Sequence, residues 1–424
     1  MSDIPPEWSS YWDHVFHRLN KFHPLPEIPA DWALHTINLV SEWVEQQYMA
    51  HLAGRPLIPP PPELDVPTIL ACGQLTFLLA KAYRNPIQLD IDMVRYNEAL
   101  TKWETGMNEA HKESLLARFP PAKKMLLTCP SVVLDSGYRI IIWYIPEALN
   151  GYIQSDMYTA TLGMSHHLRK SVTHGAGQWR TNGANFHATN GTGVTPGCIN
   201  IAPCWFQQGR ECQGTPPKNI WDGFMPEVSA TLKGGRGMSM ILQMQRPGLL
   251  ASAAMRVMHL QQYWVSIQTH IKLGHWATSH GFEDMYQNLK HWASIYTGVA
   301  VMCTRLSPYH QDLKYPPEGF NILTSIGSYR QAMMHLINLG INIAYDPGVM
   351  VGYLGRLVRH RVQVDEGDRI VWAWFVCDSV HNYTRTPHPE YAKYSPLDLA
   401  MYEHVKYNQA DFVRYGTLGL TCPA

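Results

Sequence analysis

The last third of the chain alternates short, strongly apolar runs with turn residues, and this alternation restricts the fold more than any other feature. The runs are SIYTGVAVMCTRL (294–306), GINIAYDPGVMVGYLG (340–355), RLVRHRVQV (356–364) and RIVWAWFVC (369–377). They are rich in β-branched and aromatic residues and are punctuated by Asp-Pro-Gly and Asp-Glu-Gly-Asp turns. Such spacing predicts short strands in a compact antiparallel structure. SVVLDSGYRIIIWYIP (131–146) has the same character and predicts a hairpin about Asp-Ser-Gly. The longest apolar runs, 140–145 and 370–377, fall well short of the roughly 20 residues that a membrane helix needs.

The first 125 residues read differently. In 31–54, Leu34, Ile37, Leu39, Val40, Trp43, Val44 and Met49 recur at helical spacing up to Gly54. Four consecutive prolines then forbid a helix. Further helices are predicted over 66–84, 90–119, 146–172 and 246–281. The Gly-, Pro-, Asn- and Thr-rich stretch 173–240 reads as loops. Helices followed by strands predict an α+β fold, with helices packed on a sheet or barrel. The division expected is an N-terminal helical region, 1–125, and a second unit, 126–424.

Of the 424 residues 46% are apolar, so a large core is available, and 34 basic residues balance 34 acidic ones. The balance gives no global attraction to nucleic acid or to an acidic membrane, so such binding would need local patches. Two stretches, 166–180 and 356–361, hold basic residues and no acidic one. The start lacks a basic segment followed by an apolar one, so no signal peptide is expected and the chain is read as intracellular. The eight cysteines form no Cys-x-x-Cys pair. Cys198, Cys204 and Cys212 lie near His187, but their spacing fits no familiar zinc module, and reduced thiols are expected.

His310-Gln311-Asp312 precedes a double proline. Alone it decides nothing, because chance His-x-Asp pairs are common in a chain with 21 His. His360 follows 50 residues later within a strand-like run, and Arg369 stands nine beyond it after a turn. Two antiparallel strands joined by that turn would bring these side chains into one pocket. Two imidazoles and a carboxylate on one face of an octahedral ion form the triad of non-haem Fe(II) oxygenases. Arg369, permanently charged and able to bind in bidentate fashion, suits the second carboxylate of a 2-oxo acid.

The stretches SPYHQDLKYPPEGFNIL (307–323), LGINIAYDPGVMVGYLGRLVRH (339–360) and GDRIVWAWFVCDSVHNY (367–383) resemble the TET/JBP family of 2-oxoglutarate/Fe(II) dioxygenases, most closely its fungal, basidiomycete-type branch. The resemblance covers roughly 130–385. It implies a double-stranded β-helix (jelly-roll) core. It implies His310, Asp312 and His360 as iron ligands and Arg369 as the 2-oxoglutarate residue. Arg305, five residues before His310, is by position a candidate second contact to that acid, with a surface role as the alternative. The resemblance further implies oxidation of a methyl group on a base in duplex DNA, either 5-methylcytosine or N6-methyladenine, with ascorbate as reductant in vitro and a nuclear location. A base in a duplex must be flipped out to reach such a site. Trp179, Arg180, Asn182 and Arg210 are candidates to meet it, whereas Trp205 and Phe206 read as core. Two alternatives stay open: the same iron core acting on a protein or small molecule, and a degenerate nucleic-acid-binding relative. One departure stands out. The family pattern has a small residue after the distal His, and this chain has Arg361, which would crowd the site if it pointed inward.

Overall fold

Glycine, proline and short polar side chains set the ends of the first helices. A computed structural model of the protein describes residues 25–101, 109–121, 124–174, 178–187, 189, 191–207, 225–364 and 366–395. Helix α1 (Ala33–Ala53) stops where Gly54 turns left-handed, φ 60°, and returns its N–H to the carbonyls of Ala50 and His51. After the proline stretch, α2 (Val66–Tyr83) starts at Asp65, whose carboxylate accepts the Thr68 N–H at 3.0 Å. Then follow β1 (Pro86–Gln88), α3 (Met93–Thr101), α4 (Glu109–Arg118) and β2 (Met125–Leu127). The single helix expected over 90–119 is thus two described helices.

The hairpin is present as β3 (Ser131–Leu134) and β4 (Ile140–Ile145). Buried Asp135 builds its turn by accepting the N–H groups of Gly137 and Arg139, at 2.9 and 2.8 Å, and pairing with the Arg139 guanidinium at 2.9 Å. The stretch 146–172 forms two helices, α5 (Gly151–Gly163) and α6 (Ser165–Ser171), divided at Met164. Strand β5 (Gly197–Ile201) and helix α7 (Gly237–Gln243) come next. The stretch 246–281 is also two helices, α8 (Gln245–Met258) and α9 (Leu260–Ser279). They part at His259, φ −157° and ψ 81°, whose ring accepts the Gln262 N–H. After α10 (Glu283–His291) the chain runs through β6 (Gly298–Cys303), β7 (Asn321–Arg330), β8 (Met333–Leu336), β9 (Ile341–Ala344), β10 (Met350–Tyr353), β11 (His360–Gln363), β12 (Glu366–Phe375) and α11 (Asp378–Thr384).

These strands form two sheets in a mixed α+β fold. The larger has the order β1-β3-β4-β10-β7-β12-β6-β5 and the smaller β11-β8-β9-β2. Only the β1–β3 and β2–β9 pairings are parallel. The sheets face each other, since the Tyr144 hydroxyl of β4 donates to the Ala344 carbonyl of β9 at 2.8 Å. Two expectations are corrected here. The Asp-Pro-Gly turn at 346–348 does not close a hairpin, because β9 and β10 belong to different sheets. Likewise β11 and β12 are not paired neighbours. Strand β12 is hydrogen-bonded on both edges, to β7 and to β6, and has no edge left for β11. His360 and Arg369 therefore stand on different sheets. Strand β7 was not foreseen.

The buried apolar side chains form one continuous cluster from Trp32 to Tyr394. Helix α2 packs on β3 and β4, and α1 packs on α8. Among the described residues α2 is the one helix long and apolar enough to cross a membrane, and half of it is buried against the rest of the fold.

Candidate functional site between the two sheets

His310 and His360 meet as one isolated antiparallel bridge: the His310 N–H donates to the His360 carbonyl at 3.0 Å, and the His360 N–H returns a bond of 2.9 Å. This bridge extends the edge of the small sheet at β11. Asp312, two residues on, is fixed by its N–H on the Gly355 carbonyl at 2.9 Å. The donor atoms of His310, Asp312 and His360 lie within 4.8 Å of one another, and no other such group of three occurs among the described residues.

The hydrogen bonds settle how the imidazoles point. His310 Nδ1 lies 2.9 Å from the Pro308 carbonyl, and His360 Nδ1 lies 3.0 Å from the Val358 carbonyl. A carbonyl only accepts, so each Nδ1 carries the proton and each Nε2 offers a lone pair. Burial, then the neighbouring His360, holds His310 well below the usual imidazole range. Burial also lowers His360, against the pull of Asp312. Both rings are thus neutral near pH 7, the form that binds a metal. Two neutral imidazoles and one carboxylate match the donor set of a divalent first-row ion with open positions.

Arg369 is 5% exposed. On β12 it alternates with Asp368, whose side chain takes the other face and accepts from the Thr192 hydroxyl. The Arg369 guanidinium donates one bond, from Nη2 to the Arg305 carbonyl at 2.8 Å, and lies 5.9 Å from the Tyr345 ring centre. Among the described residues it meets no carboxylate, and its Nε has no partner. Burial lowers its pKa below the ordinary arginine value, and the nearby tyrosines offset this only in part. Two glycines hold the strand in place. Gly327, φ +127°, stands opposite Arg369, and a Cβ there would come within 2.2 Å of the Asp368 carbonyl oxygen. Gly367, φ +95°, leaves no more room, with the Ser328 carbonyl oxygen 2.0 Å from a Cβ.

Arg305 is also buried. It donates to Cys198 Sγ at 3.1 Å, its Nε has no partner, and burial lowers its pKa. Trp179 covers the mouth. Its ring lies 4.7 Å from that of His310, with the guanidiniums of Arg180 and Arg305 at 4.6 and 5.0 Å from its centre. Arg180, 43% exposed at its side chain, reaches to 3.6 Å from Asp312 Oδ1. The loop is pinned by the Asn185 side chain on the Trp179 carbonyl at 2.8 Å and by Leu306 N–H on Asn185.

The structure thus brings His310, Asp312, His360, Arg369, Arg305, Trp179 and Arg180 together. Asn182 uses its side-chain oxygen to accept the Ala184 N–H at 3.0 Å and so shapes the covering loop. Arg210 and Cys212 lie outside the described residues. Phe206 is buried, as expected of a core residue, and Trp205 is half-buried. Arg361 points away from the triad. It alternates with His360 on β11 and lies 4.7 Å from the Tyr309 ring centre. Sequence reasoning missed Tyr345, Tyr353 and Cys198, since a tyrosine or cysteine in an apolar run reads as core. Two open cavities, of about 590 and 370 Å³, lie elsewhere, around Arg246 and around Thr192 and Asp368. Neither is lined by the triad or Arg369, so chemistry rather than cavity size marks the site.

No family model and no curated protein matches the chain. Among solved structures, NgTET1 (Naegleria) in complex with 5mC DNA is similar over 74% of this chain and all of its own, at 11% identity and a TM-score of 0.41.

Proposed function

We propose that the protein is an Fe(II)- and 2-oxoglutarate-dependent dioxygenase with a double-stranded β-helix core, acting in the nucleus on methylated bases in duplex DNA. The observation that carries the cofactor reading is Arg369, a buried cation that meets no carboxylate and is linked through Arg305 and Trp179 to the only metal-competent His/Asp cluster among the described residues. A buried unpaired charge is costly, so the site is built for an anion to be supplied. With Arg305 beside it, the pocket holds two buried guanidiniums against one carboxylate, Asp312. That leaves one positive charge in excess, three with a divalent metal on the triad, and the dianion 2-oxoglutarate offsets two of them.

In this reading His310, Asp312 and His360 hold iron, which supplies oxidation of a methyl group by dioxygen, coupled to conversion of 2-oxoglutarate to succinate and carbon dioxide. Arg369 takes the distal carboxylate in the fork geometry of its guanidinium. Arg305 keeps the cofactor's second charge in place. Trp179 keeps bulk water from the mouth, and Arg180 at the rim meets a phosphate of the DNA. Asn182 supports this loop. The catalytic unit is 126–424, its cofactor residues fall within 305–381, and the helices of 1–125 brace it. The choice of a methylated base rests on the sequence resemblance of 307–323, 339–360 and 367–383. Oxidation at a C5 methyl leaves a stable hydroxymethyl base, whereas oxidation at an N6 methyl leaves an unstable adduct and removes the carbon.

The test incubates the protein with Fe(II), ascorbate, 2-oxoglutarate and duplexes carrying 5-methylcytosine or N6-methyladenine, followed by mass spectrometry of the nucleosides. Loss of one methyl base that requires 2-oxoglutarate and vanishes in His310→Ala is expected. Succinate without any change in either base would retain the iron site and overturn the DNA substrate. Iron-loaded protein that makes no succinate would overturn the enzyme.

A further inference from the structure

Tyr353 ends β10, is 1% exposed, and places its hydroxyl beside Asp312 and His360 of the cluster. The oxygen lies 3.3 Å from Asp312 Oδ2 and 3.2 Å from His360 Nε2, and the ring meets the His360 ring edge-on at 5.0 Å. The two oxygens of Asp312 thus have different neighbours. Oδ1 faces Arg180 at 3.6 Å, and Oδ2 faces Tyr353. On the Gly355 side space is tight, since a Cβ there would come within 2.3 Å of Asn321 Nδ2 and 3.5 Å of Asp312 Oδ2.

A hydroxyl has one proton to donate. Without a metal, two acceptors compete for it, the Nε2 lone pair and Oδ2. A metal on Nε2 removes one of them, and the proton is then committed to Oδ2. A carboxylate oxygen so engaged is held off the ion, which leaves Oδ1 as the donor. The open face of a two-His, one-carboxylate centre depends on that carboxylate binding through a single oxygen.

We infer that Tyr353 is a positioning residue that makes Asp312 a one-oxygen ligand, an inference that rests on the metal reading above. Hydrogen-bond partners of metal ligands typically tune metal affinity or activity by about 10- to 100-fold.

The test uses Tyr353→Phe, which removes one oxygen and keeps the ring. Metal-free melting curves check that the fold is intact. Co²⁺ binding by calorimetry is expected to weaken about 10-fold. Water-proton relaxation of the Mn²⁺ complex should show fewer exchangeable waters, because the released Oδ2 joins the ion. In an Asp312→Ala background the same change should leave Co²⁺ affinity within about twofold, since the hydroxyl acts through that carboxylate. Unchanged Co²⁺ binding in Tyr353→Phe would overturn the inference. So would an equal loss in the Asp312→Ala background, which would make the hydroxyl a direct ligand. Wild-type protein that binds neither ion would instead overturn the metal site, and this inference with it.

Discussion

Two buried arginines show how this fold treats charge in different places. Arg256, on α8 where it packs on α1, is 9% exposed. It donates to Glu45 at 2.7 Å and Asn38 at 3.0 Å, and lies 5.3 Å from the ring centres of both Tyr263 and Trp264. Burial alone would lower its pKa, yet Glu45, Tyr263 and Glu42 together outweigh that and the value rises above the ordinary one. Arg369 is buried to a similar degree, has one backbone carbonyl as acceptor, and its pKa falls. One arginine brings its counter-ion with it in the fold. The other has none among the described residues. A buried charge that is satisfied belongs to the architecture, and one that is not points to a ligand.

The sharpest way to break this comparison is to remove each charge in turn. Arg369→Met should cost about 2–5 kcal/mol of 2-oxoglutarate affinity, the usual loss for one partner of a buried charge pair. Its stability without ligand should be unchanged or higher, because an unpaired buried charge has gone. Arg256→Met should do the reverse, losing about 3 kcal/mol of stability as Glu45 loses its partner, with 2-oxoglutarate binding intact. Calorimetric titration and denaturant unfolding read both. Equal stability losses in the two variants would erase the distinction.

Histidines extend the contrast and give a smaller effect. His259 and His270 are pushed down to about 4 and His381 to about 3, chiefly by burial. The ordinary value is 6.5, so below it the unfolded chain takes up protons that these folded residues refuse. Stability contributed by each neutral ring is present above pH 6.5 and is lost as pH falls from there toward its folded value. By pH 5 each should have cost about 2 kcal/mol relative to neutral pH. His381→Leu, which also removes an Nε2 without a partner, should flatten the fall between pH 7.5 and 5 by about that amount. Urea unfolding at the two pH values measures it, and an unaltered slope would show that His381 does not carry the dependence.

How much of this was legible from the chain differs from residue to residue, for physical reasons. His310, Asp312, His360 and Arg369 could be found because ligand chemistry limits residue types and strand-like runs surround them. Their sheet assignment could not. Turn residues report that a chain reverses, not which sheet it enters, so Asp-Pro-Gly at 346–348 and the turn expected before β12 read as hairpin turns, although β9 and β10, like β11 and β12, belong to different sheets. Strand β7 escaped notice because Thr324, Ser325, Gly327 and Ser328 interrupt its apolar pattern. Thr324 and Ser325 are nevertheless buried, donating to the carbonyls of Trp372 and Ile370. Tyr353 was invisible as a site residue, since only the fold places its hydroxyl beside Asp312. That Arg369 meets no carboxylate among the described residues is likewise a statement about space, since Asp368, next to it in sequence, turns to the other face of β12.

The smallest expected effect concerns the arginine nearest the cluster in sequence. Arg361 follows His360 directly and stands where the sequence resemblance leads one to expect a small residue. Sequence adjacency suggests that it would repel a metal or crowd it. Strand geometry says otherwise, because successive side chains on β11 take opposite faces. Its guanidinium lies against Tyr309, a contact at a partly open site worth about 0.5–1 kcal/mol at most. Arg361→Ala should therefore cost no more than about 1 kcal/mol of stability and leave Co²⁺ and 2-oxoglutarate affinities unchanged. If either affinity rose in this variant, its charge would be acting on the triad despite pointing away. Burial and a missing partner would then no longer suffice to tell the arginine that serves the ligand from those that serve the fold.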